Sequence, residues 1–338
     1  MLRNLSKSFL LLLFTVALAC GVYPLTVWAI GQAFFPFQAN GSLLKDAKGE
    51  VVGSLLIAQP FTKDEYFQPR PSAASYNAAA SSSSALAASN YALRDRVARS
   101  LGPIVKYAAG PKAGQLVAPD VEAWFQMDQY QGASRLLAQW ADMHNSLASA
   151  WVSADPSHGA YVDAWSAAHP EAVALFIKNN PATPKPQAAD LAVTFFEGFS
   201  KEHPGMFPSA VTAPGKDGKP VTSIQPVKAG ADIQALFFDM WRQDHPDAQL
   251  EDVPGDMVTS SGSGLDPHIT LQNARYQLDR VAGKWAADLK RDPAQLRAEI
   301  SAILDQEAAA PFAGLAGEPM VNVLVVNIAL HDRYGDPQ

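Results

Sequence analysis

The chain has almost no cysteine. Cys20 is the single one in 338 residues, so no intrachain disulfide forms and dithiol redox chemistry has no substrate. Positive charge is also scarce. Lys and Arg number 26 against 33 Asp and Glu, a formal charge of −7, which excludes the basic face that displaces counterions from nucleic acid. Missing too are G-x-x-x-x-G-K-[ST], G-x-G-x-x-G after a strand, and H-E-x-x-H, so no recognisable loop grips a nucleotide or a catalytic zinc. The last absence is local: from Ser8 to Leu44 there is no Asp, Glu, Lys, Arg or His. What the chain does have is 48% hydrophobic and 17% charged residues, enough to fold as one large domain or two ordinary ones.

The uncharged run "SFLLLLFTVALACGVYPLTVWAI" is long enough to cross a bilayer, because about 20 apolar residues span a ~30 Å hydrocarbon layer. We expect residues 1–7 as a cytoplasmic N-terminus and 8–30 as a transmembrane helix. Phe9, Leu13, Pro24 and Trp28 would lie in that helix, with Tyr23, Trp28, Phe34, Phe35 and Phe37 at the outer interface. Arg3 and Lys7 precede the run and Lys45 is the first charge after it, so the positive-inside tendency puts the bulk of the chain outside the cytoplasm. Pro24 has no amide proton to donate and would kink the helix. A second reading stays open: "ALAC" is loosely like a lipoprotein processing site at Cys20, although the apolar character continues well past it.

Beyond the anchor, Ser42 to Lys45 and Val51 to Ala58 read as a hairpin around Gly49. The Ala-, Ser- and Pro-rich stretch that comes next has no period and reads as a surface loop. Near the C-terminus Thr270 is a helix N-cap, with Leu271, Ala274, Leu278, Val281 and Trp285 as one apolar face. Asp292 and Pro293 open another helix carrying Leu296, Ile300 and Ile303. "PMVNVLVVNIAL", dense in β-branched residues, is predicted as a buried strand.

The middle, about residues 102–246, holds five of the seven tryptophans and helical patterning. It repeats an element: "YVDAWSAAHP", "FFEGFSKEHP" and "FFDMWRQDHP" each place an aromatic, an acid two later, an aromatic at four, then His-Pro. Aromatics four apart share a helix face and the Pro ends the helix, so the favoured reading is a recurring helix terminus. The competing one makes His169, His203 and His245 metal ligands with Glu202 and Asp244, although adjacent side chains on a helix diverge.

"TSSGSGLDPHIT", Thr259 to Thr270, has the look of a catalytic loop. Ser263, Asp266 and His268 would make a triad on paper, yet the string lacks the G-x-S-x-G order of a nucleophile elbow, and groups so close in sequence rarely converge on one point. Glycines for unusual backbone angles, Asp-Pro for a turn and Thr for a cap explain the same letters.

Two flanking segments resemble the C subunit family of the Kdp potassium-transporting P-type ATPase. The N-terminal resemblance runs from the anchor through "FPFQANGSL", "GEVVGSLLIAQPFTKDEYFQPRPSA" and "SYNAAASSSSALAASNYALRDRV"; the C-terminal one through "VPGDMVTSSGSGLDPHIT", "ARYQLDRVA" and "GEPMVNVLVVNIAL". The resemblance implies a single N-terminal transmembrane helix plus an extracytoplasmic mixed α/β domain (31–101 and 247–338), here interrupted by a mainly α-helical insertion (102–246). It implies a bacterial inner-membrane complex with a potassium-translocating A subunit, an ATP-hydrolysing B subunit and a small F subunit. ATP and potassium are then used by the complex, and this chain binds no cofactor directly. The D-K-T-G-T context of the phosphorylated aspartate is absent here, so the chain itself is expected to be non-catalytic. Family descriptions as a catalytic chaperone attach an ATP-related role to the Gln matching Gln59, although Pro60 stands here where the family has Asn. Ser263, Gly264, Leu265, Asp266, Pro267 and His268, with Arg70 and Pro71, are expected as structural or partner-contact residues.

Overall fold

The structure is a computed structural model and describes residues 2–45, 49–127, 135–214, 219–315 and 317–335. The N-terminal helix is continuous in three pieces: α over Leu2–Val16, π over Ala17–Val22, and α again over Tyr23–Phe34. Among the described residues it is the one helix long and apolar enough to cross a membrane, over Asn4–Phe34, and no residue of its apolar window is buried. The expected span 8–30 lies inside it. Pro24 falls in the first turn of the last piece and has no N–H for the Cys20 carbonyl. The turn before it widens so that the Tyr23 amide reaches back to the Leu18 carbonyl, and the helix continues through the π segment.

The chain, this helix included, divides into two compact units, residues 1–85 with 254–338, and residues 86–253. In the first, Leu43–Lys45 and Val51–Ser54 form the expected antiparallel hairpin; residues 46–48 of its turn lie outside the described residues. Thr270 caps Leu271–Leu289 by accepting from the Asn273 amide, and Asp292 caps Pro293–Glu307 by accepting from Gln295. The core joins these helices through Trp285, Leu278, Val281, Leu296 and Ile300, with Phe67 from the loop-rich N-terminal segment.

The C-terminal strand expectation needs correction. Only Met320–Asn322 is strand, paired antiparallel with His268–Thr270, and Val323–Tyr334 is a helix. Asn322 stops the strand: its side chain accepts from the Leu324 and Val325 amides as an N-cap. Beyond it Val323, Val326, Asn327 and Leu330 are buried at helical spacing, and that period overrides β-branched propensity.

The second unit is helical, as its patterning suggests, and also contains a hairpin that patterning missed, Phe207–Pro214 with Pro220–Val227. Four prolines hid it. Pro208 faces Pro226 and Pro214 faces Pro220; in a two-stranded ribbon each strand has a free edge, so alternate positions need no amide donor. The core of this unit is aromatic, built around Trp140, Phe195, Phe196, Phe207, Phe237 and Trp241. Among the described residues every sheet has two strands.

Candidate functional site

The serine-rich loop is held by its own carbonyls. Ala58 N–H donates to Leu265 O at 2.8 Å, Ser82 N–H to Ser263 O at 3.0 Å, and Val323 N–H to Pro267 O at 3.0 Å. Side chains complete the set: Ser81 Oγ donates to Ser263 O, Ser72 Oγ to Gly264 O, and Arg70 Nη2 to Ser260 O. Gly264 has φ +69°, and a Cβ there would lie 2.7 Å from Ser82 O and 2.9 Å from Ala74 N. No other residue fits that position without moving backbone. Arg70 and the half-buried Pro71 thus belong to the segment that grips the loop, with Tyr76 Oη donating to Arg70 O across its turn.

The three residues of the paper triad do not assemble. Ser263 Oγ accepts from the Leu265 amide at 3.1 Å. The Asp266 carboxylate accepts from both the amide and the Nδ1 of His268, each at 3.0 Å. The His268 hydrogen bond holds the Asp266 carboxyl below its ordinary value, with the His268 amide and charge and Arg70 acting the same way against partial burial. Among the described residues no hydrogen bond joins Ser263 to His268. An Asp-Pro-His turn fastened this way stabilises a loop geometry and leaves no free nucleophile–base pair.

A set of fasteners went unread in the sequence. Asn327 brackets Phe67, accepting from its N–H and donating to its C=O, each at 2.9 Å. Gln277 does the same for Gln68 at 2.8 and 3.0 Å, and Arg280 donates to the carbonyls of Asp64 and Tyr66. These amides imitate a neighbouring strand for a segment that has none, which satisfies its buried backbone. The available signal was polar Asn273, Gln277 and Arg280 recurring beside the apolar stripe of Leu271–Leu289.

Gln59 lies elsewhere, over the hairpin. Its Nε2 donates to Val52 O at 2.9 Å, and it lines a cavity of about 530 Å³ with Phe61, Tyr66, Leu324 and His331. In the membrane-type helix Phe9, Leu13 and Trp28 are all exposed.

The His-Pro repeats are helix ends. His169, His203 and His245 are each the C-cap of their helix. Each stacks or tilts on the aromatic four residues earlier, with ring centroids 4.6–4.7 Å apart. Nδ1 of His169 and His245 faces the carbonyl of that same aromatic at 2.8 Å; the His169 amide goes to Ser166 instead, so at Trp165 the ring serves a carbonyl that amide leaves aside, whereas the Trp241 carbonyl accepts from the His245 amide as well. His144 is a fourth such C-cap and the third with its Nδ1 on the carbonyl four residues earlier, Trp140 O at 3.1 Å, although its ring lies farther off at 6.3 Å; it was hidden because no Pro comes after it. His169 Nε2 also meets Glu202 at 2.9 Å on the wall of a 490 Å³ cavity. Among the described residues no group of three His, Cys, Asp or Glu is placed to hold a metal.

Comparison with known proteins adds three findings. The model of the KdpC family, described as "K+-transporting ATPase, c chain", matches residues 5–121 and 230–332. The chain is similar to the potassium-transporting ATPase KdpC subunit of Caulobacter sp. K31, at 28% identity over 95% of this chain and 89% of that protein. It is similar to that of Pseudomonas aeruginosa PAO1 at 54% identity over 26% of this chain and 48% of that one. A match as long as the Caulobacter one takes in the central segment that the family model skips.

Proposed function

The chain belongs to the KdpC family, the c chain of potassium-transporting ATPases, and is an accessory subunit of the Kdp pump; from that premise we propose that it acts by assembly and not by chemistry of its own. Its partners are the potassium-translocating A subunit, the ATP-hydrolysing B subunit and the small F subunit. The helix Asn4–Phe34 spans the bacterial inner membrane with its N-terminus in the cytoplasm, since Arg3 and Lys7 flank its start. The remaining chain lies outside the cytoplasm.

One observation carries the non-catalytic reading: the loop with the strongest resemblance to a catalytic one has its carbonyls and its Ser263 hydroxyl committed to its own fold. Ser263 to His268, with Arg70 and Pro71, therefore form a fastener that shapes a docking surface. ATP and potassium are handled by the partner subunits. Gln59 is engaged with Val52 in the hairpin, so the family's ATP-related effect reaches the catalytic subunit as a coupling through the complex, without contact between Gln59 and nucleotide.

Affinity purification through a tag on this chain is the direct test. Co-recovery of a large ATPase and a channel-like subunit is the expected result, and recovery of this chain alone overturns the proposal. Protease added to intact spheroplasts should remove residues after the helix; protection until lysis reverses the assigned orientation. Esterase activity of the full chain that disappears in Ser263→Ala would make the loop catalytic after all.

A further inference from the structure

The uncharged run does not stop where the helix does. The helix closes at Phe34, whereas the first charge is Lys45. From Lys7 to Phe34 the helix measures about 40 Å, roughly 10 Å more than the hydrocarbon layer, and the common tilt of ~20° brings its end to about the depth of the outer headgroups. With Lys7 at the cytoplasmic headgroups, the surplus falls at the far end. Trp28, Phe34 and Phe35 are all exposed there.

A hydrogen-bonded joint connects the helix to the hairpin. Pro36–Ala39 makes one more helical turn, then Gly41 and Ser42 both adopt left-handed backbone, φ +87° and +50°. Ser42 is only 3% exposed despite that costly conformation. Three bonds hold the corner: Ser42 N–H to Phe37 O at 3.0 Å, Leu55 N–H to Ser42 O at 3.0 Å, and Ser54 Oγ–H to Gly41 O at 2.7 Å. The hairpin Leu43–Lys45 with Val51–Ser54 is therefore tied to the Pro36–Ala39 turn, which a Gln32–Asn40 side-chain amide pair links to the helix. Beside the joint its surface is apolar, with Leu43 42% and Leu56 62% exposed. Charge returns only toward the hairpin's far end, at Lys45 and Glu50.

We propose that Phe37, Leu43 and Leu56 sit in the headgroup layer of the bilayer, so that the base of the hairpin is a lipid-contacting shoulder that sets the height and tilt of the unit above the membrane. Lipid is the occupant because this apolar surface continues an uncharged membrane helix through a hydrogen-bonded joint, and aromatic and aliphatic groups at that depth are favoured in the interfacial zone. Lys45 then marks the level at which the chain meets water. The inference rests on the reading of Asn4–Phe34 as a membrane span.

The test uses the full chain with Cys20→Ser, reconstituted in phosphatidylcholine vesicles, and a nitroxide placed in turn at L43C, L56C, L13C and L315C. Collision rates with oxygen, which partitions into lipid, are compared with those of a water-soluble nickel chelate. Leu13 reports the span and Leu315, highly exposed in the same unit, reports water. The expected result is an oxygen-to-nickel ratio at Leu43 and Leu56 severalfold above that at Leu315 and below that at Leu13. Water-like ratios at both positions with a lipid-like Leu13 overturn the shoulder and leave the span standing; a water-like Leu13 overturns both. The measurement is repeated in the co-purified complex, where loss of collisions with both reagents at Leu43 and Leu56 would assign the surface to a protein partner and overturn the lipid assignment.

Discussion

The two compact units solve the same problem with opposite materials. In the unit of residues 1–85 and 254–338, long irregular segments are held by polar side chains reaching across 209 to 260 residues of sequence, as Gln277 does for Gln68 and Asn327 for Phe67. In residues 86–253, short helices are closed by histidines on their own aromatics and packed on one aromatic cluster. The first arrangement depends on hydrogen bonds that must all be made, because a buried amide left unpaired costs its full desolvation. The second depends on volume, where loss scales with the cavity left behind. The family model covers most of the first unit and skips the centre of the second. The fastened unit lies almost wholly within the family match, whereas in the aromatic one that match takes in only 86–121 and 230–253, and the Caulobacter match is long enough to reach the stretch between.

The largest effect that separates them is Trp140→Ala. Its ring lies 5.3–6.2 Å from those of Phe196, Phe207 and Phe237, and its removal should cost the second unit about 3–5 kcal/mol. Denaturation of the detergent-solubilised chain, followed by protease mapping, should show residues 86–253 opening first while the other unit keeps its midpoint. An unchanged midpoint for the second unit would mean that its aromatic cluster is not what holds it.

Next in size is Gly264→Ala, which forces a Cβ against Ser82 O and Ala74 N at positive φ and should cost on the order of 2 kcal/mol. Hydrogen exchange gives a sharper readout than a midpoint. The amides of Ala58 and Ser82, which donate to this loop, should lose protection before any amide of the second unit. Gly262→Ala is the control, with nothing within 4 Å of its added Cβ; equal effects at both positions would remove the fastener argument.

A smaller loss, about 1 kcal/mol, is expected for His245→Ala, which deletes a stacked ring and a partner for the Trp241 carbonyl. His144→Ala should match it although no Pro comes after it, and Pro246→Ala should change little. If Pro246→Ala proved the more damaging, the helix ends would be set by proline and the histidine would be incidental.

Which of these features were legible depends on how far apart in sequence their causes lie. The caps at Thr270 and Asp292 were readable because the acceptor and the amide it satisfies are three residues apart. The hairpin at 43–54 was readable from two β-rich runs, and the His-Pro helix ends from their spacing. Asn322 misled, since its neighbours are β-branched and only the cap and the helical period after it reveal a helix. The ribbon at 207–227 was concealed by prolines that a two-stranded ladder tolerates. Of the candidate site, the turn itself was legible as Asp-Pro preceded by two glycines, Gly262 and Gly264. Its grip by residues 58–82 was not, because those partners are roughly 190 residues away and nothing in their local composition marks the pairing.

The smallest expected effect is one in which the two units should behave alike. Asp266 in the first is held below its ordinary pKa by the His268 hydrogen bond, and Asp155 in the second by hydrogen bonding to Ser157. The leading cause in each lies within two residues, and only the smallest contributor at Asp266, the charge of Arg70, comes from a distant segment. A carboxyl whose folded pKa lies below its unfolded value contributes stability above about pH 4 and loses it as the pH falls through the folded pKa. Asp266→Asn and Asp155→Asn each keep an acceptor oxygen and remove the ionisation. The stability difference between wild type and either variant should therefore be level at neutral pH and shrink on acidification below the ordinary carboxylate value. A difference at Asp266 that stays constant through that range would show its carboxylate serving only as a hydrogen-bond acceptor, with the neutral amide an equal substitute. Since Asp155 is exposed and Asp266 partly so, salt should weaken both effects; salt sensitivity at one alone would mean that the loop, and not the turn chemistry, governs its titration.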